Sequence, residues 1–318
     1  MRIGVLNNLR AGSRRTGASQ VQDVLRGRTD VYQVDTERSR DLAPALSELL
    51  RREIDVLVLH GGDGTVQCAL TELLRDPARA HLPAIAPLRG GRTNMTSCDL
   101  GADRDPARGL ARLLDAARAS RLDSLTVARP VLRVRSPRRG ADQYGMFFGA
   151  GLIYRAIGLV NRVFPPGRSR GLLGASVVTG TLVTKVLFRP TSGILTPDKC
   201  QVRVDGRDFC DAELYLLIST TLDRLFMRMN PFWGVDPGAV RITALASRAQ
   251  WMPVAAPGIL AGRPARWLAP ERGYASARVE RAELRISCGF TVDGELFAPE
   301  PEEEIELGAD RRIRFLRA

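Results

Sequence analysis

The chain has 318 residues, of which 44% are hydrophobic, and this is enough for two domains with real cores. Its 47 Lys and Arg residues outnumber its 35 Asp and Glu residues, so the net charge is +12, and nearly all of the positive charge is arginine. This composition excludes a disordered chain. The five scattered cysteines form no Cys-x-x-Cys pair that would indicate a zinc site. No uncharged apolar run reaches the ~20 residues that a transmembrane helix needs.

The first part of the chain alternates strand and helix patterns. We predict helices from the 3.6-residue spacing of apolar residues and strands from short apolar runs. The βαβα order predicts a parallel sheet with helices on both faces, which binds ligands at the carboxyl ends of its strands. The predicted strands are Ile3–Asn7, Val31–Val34, Asp55–Leu59 and Leu82–Pro87, and the helices are Gln20–Arg26, Leu42–Arg52, Val66–Leu74 and Pro106–Ala119.

Two of these strands end in glycine turns. The third runs into Gly61-Gly62-Asp63-Gly64-Thr65, and the fourth is followed by Gly90-Gly91. A glycine turn between a buried strand and a helix builds a phosphate site, because backbone N–H groups can approach the anion closely. Two of the glycines can take positive φ, and Thr65 can cap the helix. An ordinary strand-to-helix turn is the alternative interpretation.

The pattern changes near Leu125 to short alternating segments, which predict a mainly antiparallel, β-sandwich-like second domain with inserted helices. We place the first domain at residues 1–124, the second at 125–304, and a tail at 305–318 that packs back on the first domain. The tail is expected to form two strand ends around Gly308. The predicted second-domain strands are Val131–Val134, Tyr144–Phe148, Gln201–Val204, Glu213–Ser219, Val240–Leu245, Ala282–Cys288 and Phe290–Val292, with helices at Leu152–Phe164 and Leu172–Phe188.

Two Asp-Gly pairs in this second part, at Asp205-Gly206 and Asp293-Gly294, are typical of hairpin turns. Only the second is followed by an acid, Glu295. From the residues alone, the hairpin is the favoured interpretation of both pairs.

Together these motifs resemble the diacylglycerol kinase catalytic family, which includes sphingosine, ceramide and bacterial lipid kinases. Gly61–Thr65 is similar to the family's nucleotide loop, Asn8–Gly12 to its Asn-Pro-x-Ser-Gly, and Val292–Glu295 to its Asp-Gly-Glu. The resemblance covers nearly the whole chain. One segment departs from the family pattern: Gly91-Arg92-Thr93-Asn94-Met95 has Arg92 where threonine is usual and Met95 where a second aspartate is usual.

The resemblance implies an ATP-dependent lipid kinase acting on a diacylglycerol or a sphingoid or ceramide-type lipid. It implies that Asp293 is the general base and that Asp63 and Glu295 are carboxylates on the Mg²⁺ side, all three counting as catalytic. Thr36 has a second interpretation as a helix cap, and Asn8 as a turn former. The residues that the resemblance places around ATP are Asn8, Gly12, Thr36, Gly61, Gly62, Gly64, Thr65, Gly91, Arg92 and Asn94.

The basic charge predicts an anionic partner, and we expect a membrane surface. The uncharged segment Gly171–Thr184, preceded by arginines, is either an interfacial element or a core helix. No nucleic-acid partner is expected, because the aromatic residues are only 6% of the chain and are not interleaved with arginine. Since the N-terminus shows no signal-peptide pattern, we expect a cytoplasmic protein at the inner membrane face. Oligomeric state is left open.

Two alternatives to a lipid kinase stay open. An NAD kinase-like small-molecule kinase also carries Gly-Gly-Asp-Gly, and a catalytically impaired nucleotide- or lipid-binding homologue would account for Arg92 and Met95.

Overall fold

The computed structural model describes residues 1–9, 15–79, 81–163 and 196–318. They form two compact units. The first contains the described residues up to Arg129 together with Arg312–Ala318, and the second contains those from Pro130 to Arg311. The predicted helix Leu172–Phe188, the segment Gly171–Thr184 and the predicted ATP contact Gly12 lie outside the described residues.

The first unit is an α/β domain with a parallel sheet, as predicted. Its strands stand in the order β2-β1-β3-β4, and Phe315 near the C-terminus pairs in parallel with Ile85 of β4. The three inner strands are buried along almost their whole length, because helices cover both faces of such a sheet. The four strands are β1 (Ile3–Asn8), β2 (Val31–Thr36), β3 (Val56–Gly61) and β4 (Ala84–Arg89).

Among the described residues, five α-helices accompany this sheet. Helix α1 packs against α5, and α2 packs against α3. Asp105 fixes the start of α5 by accepting hydrogen bonds from the N–H groups of Ala107 and Arg108, at 2.9 and 3.3 Å, with Pro106 in the first turn. The helices are α1 (Arg15–Leu25), α2 (Leu42–Arg51), α3 (Asp63–Leu74), α4 (Met95–Asp99) and α5 (Pro106–Arg118).

The second unit is built on antiparallel strands, which confirms the predicted fold class. Its strands are hydrogen-bonded in the order β14-β13-β7-β9-β8-β12-β15, with β10 on β9, β11 on β10, and β5 on β6. The strands are β5 (Thr126–Arg135), β6 (Gln143–Gly145), β7 (Phe147–Gly151), β8 (Asp198–Val204), β9 (Arg207–Thr220), β10 (Val240–Ala246), β11 (Tyr274–Val279), β12 (Arg281–Ile286), β13 (Phe290–Val292), β14 (Glu295–Phe297) and β15 (Glu303–Leu316).

The described part of this unit contains two α-helices, α6 (Leu152–Val163) and α7 (Met252–Leu260). The sequence predicted α6 but neither α7 nor strand β11. Among the described residues, no helix is both long and apolar enough to cross a membrane.

The C-terminal tail differs from its prediction. The expected turn at Gly308 is absent, and Glu303–Leu316 is one strand. Gly308 pairs with Arg281 of β12 in the antiparallel ladder, so the chain continues straight through the Gly308-Ala309-Asp310 segment. Pairing with β12 therefore decides the conformation here, against the local turn preference.

Candidate functional site

The two glycine turns of the first unit touch each other through their backbones. The Gly90 N–H donates to the Gly61 carbonyl at 3.0 Å. A Cβ on Gly90 would lie 2.8 Å from the Gly61 nitrogen, and a Cβ on Gly91 would overlap the Gly62 Cα. The turns need glycine because they pack against each other without room for a side chain.

The backbone angles correct one expectation. None of the glycines in these two turns has positive φ, and Gly62 has a φ of −92°. Close approach between the turns, rather than left-handed backbone, is therefore what requires glycine here. Gly64 lies in the first turn of α3, where N–H groups have no partner within the helix and point towards the carboxyl edge of the sheet.

Asp63 holds the second turn against the first. Its Oδ2 accepts from the Thr93 hydroxyl at 2.6 Å and from the Met95 N–H at 3.1 Å. Its Oδ1 accepts from the Thr96 N–H at 3.1 Å. Met95 and Thr96 begin α4, so a carboxylate on the first residue of α3 satisfies the N-terminal N–H groups of a second helix. Asp63 is only 6% exposed and thus joins the two turns into one body.

Asn94 fixes the shape of the second turn. Its side chain accepts from the Gly91 N–H at 2.7 Å and donates to the Gly91 carbonyl at 2.9 Å. Its own backbone is left-handed, with a φ of 50°, a conformation that asparagine tolerates better than most residues. Asn94 therefore closes the turn, and this structural role does not depend on any contact with a ligand.

Thr65 and Asn8 connect the first turn to β1. The Asn8 side chain donates to the Thr65 hydroxyl at 3.1 Å. The predicted helix cap at Thr65 is wrong, because α3 begins two residues earlier and Gly62 holds the N-cap position. Thr65 instead packs directly over Gly61, where a Cβ would overlap its side chain.

Thr36 is the last residue of β2, beside Asn8 in the sheet register. The helix-cap interpretation is wrong, because the helix that follows, α2, begins at Leu42 after Asp41. Thr36 is 3% exposed, and in the described part of the chain its hydroxyl has no hydrogen-bond partner. An unsatisfied buried hydroxyl costs free energy, and such a group is a candidate for contact with a ligand or an ordered water.

Arg92 lies in the second turn between Gly91 and Thr93, half-buried. Partial desolvation lowers the pKa of its guanidinium below the ordinary value, but arginine stays protonated at any working pH. The turn therefore carries a permanent positive charge.

A buried polar chain runs beneath these turns, and the sequence did not indicate it. His60 Nδ1 lies 2.7 Å from Asn7 Oδ1, and Asn7 Nδ2 donates to Asp35 Oδ1 at 3.1 Å. Because Asn7 Oδ1 can only accept, the proton of neutral His60 is on Nδ1. His60 is 1% exposed, and burial lowers its pKa to about 4.

The low pKa of His60 predicts acid sensitivity of the first unit. In the unfolded chain histidine titrates near pH 6.5, whereas buried His60 takes up a proton only near pH 4. Between these two pH values the unfolded state binds this proton and the folded state does not. The stability contributed by neutral His60 is thus present above pH 6.5 and falls by about 3 kcal/mol between pH 6.5 and 4. His60→Asn keeps a donor to Asn7 and should flatten that part of the thermal-unfolding profile, whereas His81→Asn, at an exposed site, should not.

In the second unit, Asp293 and Gly294 form the turn between β13 and β14. Both have positive φ, 48° and 94°, as a two-residue hairpin requires. Asp293 Oδ2 accepts from the Met146 N–H at 2.9 Å, and Oδ1 accepts from the Phe147 N–H at 2.8 Å. Asp293 is 3% exposed, so the carboxylate fastens the hairpin to the start of β7.

The two Asp-Gly turns of this unit allow a matched stability test. In Asp293→Asn one of the two buried N–H donors would face an amide N–H₂ group instead of an acceptor. We therefore expect the free energy of unfolding to fall by about 2–4 kcal/mol. At an exposed site, Asp205 Oδ1 instead accepts from the N–H groups of both Glu280 and Arg281, at 3.2 and 2.9 Å, while Oδ2 has only a longer contact of 3.4 Å with the same Glu280 N–H. Asp205→Asn keeps the Oδ1 acceptor and should lower the free energy of unfolding by less than about 1 kcal/mol. Equal losses in urea unfolding would contradict this account of Asp293.

Glu295, the first residue of β14, differs from Asp293 in its surroundings. Its side chain reaches solvent, yet desolvation by the neighbouring protein raises the pKa of its carboxyl above the ordinary value. Of the two acids in the Asp-Gly-Glu motif, Glu295 is therefore the one open to a reactant.

The described residues do not build a metal site on their own. They contain no group of three or more His, Cys, Asp or Glu side chains placed to hold an ion. Asp63, a predicted Mg²⁺ ligand, already accepts three hydrogen bonds and is placed as an internal acceptor. The expectation of Mg²⁺ at Asp63 and Glu295 stays a prediction, and no step below is derived through the ion.

Comparison with known proteins bears on the family and on the fold. Residues 2–127 match the model of the diacylglycerol kinase catalytic domain. The matched residues make up most of the first unit, which therefore resembles the catalytic domain of the diacylglycerol kinase family. No curated protein matches the chain.

Two solved structures share the fold over almost the whole chain. A Bacillus anthracis str. Sterne protein assigned as a diacylglycerol kinase superposes with a TM-score of 0.68 at 17% identity, covering 100% of this chain and 97% of that one. An NAD kinase from Archaeoglobus fulgidus, solved in complex with ATP, gives a TM-score of 0.51 at 15% identity, covering 99% and 93%. At these identities the likeness shows the fold alone.

Proposed function

We propose that the chain is an ATP-dependent lipid kinase that transfers the γ-phosphate to a hydroxyl of a diacylglycerol or a sphingoid or ceramide-type lipid. The observation that carries the proposal is the joined pair of glycine turns. Backbone N–H groups at the start of α3 and a permanent charge on Arg92 are held in one body by Asp63, at the carboxyl edge of a parallel sheet.

The proposed nucleotide contacts follow the predicted set. Phosphoryl transfer needs the phosphates held in position and their charge neutralised, and backbone N–H groups with an arginine supply both. Arg92 binds phosphate oxygens in place of the usual threonine, since its guanidinium matches their geometry. The remaining proposed contacts are Asn8, Gly12, Thr36, Gly61, Gly62, Gly64, Thr65, Gly91 and Asn94.

On the acceptor side we propose Asp293 and Glu295. The lipid hydroxyl oxygen forms a bond to the γ-phosphorus as the bond to the ADP oxygen breaks, and the hydroxyl proton passes to a carboxylate. The resemblance assigns that proton to Asp293. Because both Asp293 oxygens hold backbone N–H groups, its replacement disturbs the hairpin as well as the chemistry. Glu295 is the cleaner residue to test.

Glu295→Gln should lower kcat on the order of 100-fold while leaving the melting temperature unchanged, because the side chain is exposed. A carboxyl with a raised pKa must lose its proton before it can accept one or carry charge, so the wild-type rate should fall as pH drops through that raised pKa. The variant should lose this acidic limb. Glu280→Gln, another exposed glutamate of the same unit, serves as the matched control and should behave as wild type.

The acceptor is tested with γ-labelled ATP against a panel of dispersed lipids and NAD. We expect label in a lipid that carries a free hydroxyl, diacylglycerol or a sphingoid or ceramide type. The NAD kinase neighbour shares the fold, so NAD belongs in the panel. Label in NAD alone would refute the lipid proposal, and no transfer to any acceptor would favour a nucleotide- or lipid-binding protein without activity.

A further inference from the structure

Helix α7 of the second unit has an unusual composition for a helix at a protein surface. Its nine residues, Met252–Leu260, contain no charged or hydrogen-bonding side chain, and only Ala255 is buried. A helix on a soluble protein normally turns a polar face to water, and one that is apolar all round is normally buried. Helix α7 is neither, so part of its surface needs a partner.

The exposed side of α7 is a continuous apolar stripe. Trp251, which precedes the helix, is 70% exposed, and Val254 is 68% exposed. Pro257 and Ala261 continue the same side at helical spacing and are also exposed. The opposite side is anchored, because Met252 packs against the cluster of Leu152 and Tyr215. The stripe is therefore presented outwards by a fixed helix.

A second exposed apolar side chain lies at the C-terminal end of α7. The Asn230 N–H donates to the Leu260 carbonyl at 3.2 Å, which places the loop before Asn230 beside the helix end. In that loop Met227 is 64% exposed and is followed by exposed Arg228. Three of the seven large hydrophobic side chains that are exposed in the described part of the chain thus belong to α7 and its neighbouring loop.

Arginines stand at both ends of the helix. The Arg263 N–H donates to the Gly258 carbonyl at 2.8 Å, and the Arg272 carbonyl accepts from the Gln250 N–H at 3.0 Å. Exposed Arg248 and Arg266 lie in the same segment, 247–272, which thus contains four arginines and a single acidic residue, Glu271. Among the described residues, none of these four guanidiniums has a carboxylate oxygen within 4.0 Å. The apolar stripe is therefore bordered by four arginines that form no ion pair with a described carboxylate, although Arg272 lies 5.8 Å from the centroid of the Trp267 ring.

We propose that α7 docks the protein on an anionic lipid bilayer, with Trp251 and Val254 entering the interface and the flanking arginines pairing with headgroup phosphates. An apolar helix edge bordered by arginines matches the two regions of a bilayer surface, the apolar acyl chains and the anionic headgroups that cover them. At a rise of 1.5 Å per residue, the nine residues of α7 are too short to cross a bilayer, so we expect the helix to lie along the membrane surface. This inference deepens the proposed function, since docking would bring the kinase to the surface that holds its lipid.

The test is co-sedimentation of the whole chain with vesicles, in the absence of ATP. Vesicles of equal parts phosphatidylcholine and phosphatidylglycerol should bind the wild type, and pure phosphatidylcholine vesicles should bind it far less. Trp251→Asn should weaken binding about tenfold, because burial of a large apolar side chain is lost. Asparagine suits this position, where φ is 57°. Arg263→Gln should weaken binding about fivefold.

A pair of valines supplies the matched control. Val254→Ser should weaken binding, whereas Val235→Ser, at a side chain that is 91% exposed outside α7, should not. Wild-type binding that survives Trp251→Asn and Val254→Ser, or no binding at all, would overturn the proposal. A dimer in sedimentation velocity that these variants abolish, with no vesicle binding, would overturn it in favour of a second copy covering the stripe.

The docking and the kinase activity can fail separately. Lipid phosphorylation in detergent micelles needs no bilayer, so Trp251→Asn should retain wild-type activity there while losing vesicle binding. If the wild type binds vesicles through α7 but labels no lipid, the proposed function is wrong and the docking stands. If it labels lipid in micelles but binds no anionic vesicle, the docking is wrong and the proposed function stands.

Discussion

Asp63→Ala is expected to abolish measurable phosphoryl transfer and to destabilise the first unit. The substitution leaves the buried N–H of Thr96, the N–H of Met95 and the Thr93 hydroxyl without their acceptor. At about 1–3 kcal/mol for each unsatisfied buried group, the loss of stability should reach about 3–5 kcal/mol. The second glycine turn would also leave its position, and a displacement of about 1 Å in a reactive site costs on the order of 100-fold in rate.

Urea unfolding and labelled-ATP transfer measure the two effects of Asp63→Ala. Asp23→Ala removes an exposed carboxylate in the same unit, whose ion-pair partner among the described residues is Arg26, and should match the wild type in both. An Asp63→Ala protein with wild-type stability would contradict the role of Asp63 in joining the turns. Retained transfer would contradict its place in the active centre.

Gly91→Ala is expected to have the second largest effect. Its Cβ would overlap the Cα of Gly62, which is backbone and cannot rotate away. The two turns must therefore separate, at a cost of about 1–3 kcal/mol in stability, and the N–H groups that we propose bind phosphate move with them. ATP binding measured by calorimetry should weaken strongly even where the protein remains folded.

Gly17→Ala is the matched control for this prediction. Gly17 lies in α1 of the same unit, and its Cβ would have ordinary contacts at 3.7 Å to His60 and Pro106. Alanine favours a helix over glycine by about 1 kcal/mol, so this variant should bind ATP normally and melt at the same or a higher temperature. ATP binding by folded Gly91→Ala equal to that by Gly17→Ala would show that the contact between the turns is unimportant.

Local sequence patterns predicted most of the fold. The strands and most helices of the first unit appear close to their predicted bounds, because apolar runs and helical spacing report burial directly. Helix α1 begins at Arg15, five residues before its predicted start, and the short helix α4 was not predicted. The tail at Gly308 and strand β11 could not be read in this way. Both depend on pairing with strands distant in the chain, and Gly308 in particular becomes a ladder residue only through Arg281.

The site was predictable in its residue types but less so in their contacts. Glycine at positions 61, 62 and 91 indicated a phosphate loop, yet the reason for glycine is contact between two turns that are thirty residues apart. The partners of Asp63 were missed for the same cause, since Thr93 and Thr96 carry no signal of their own.

The motif around Asp293 shows what a resemblance adds and what it leaves out. The residues alone favoured a hairpin, and the positive φ values of Asp293 and Gly294 show that the hairpin is real. The resemblance added a catalytic role that stays a prediction. Neither indicated that both carboxylate oxygens would hold the backbone of Met146 and Phe147, because that contact joins segments 146 residues apart.

The most direct measurement is transfer of label from γ-labelled ATP to dispersed diacylglycerol and ceramide by three proteins: wild type, Gly17→Ala and Gly91→Ala. The account predicts a labelled phosphomonoester lipid with wild type and Gly17→Ala, and none above background with folded Gly91→Ala. Failure of the wild type to label any lipid, or equal labelling by Gly91→Ala, would contradict the claim that the joined glycine turns serve a lipid kinase.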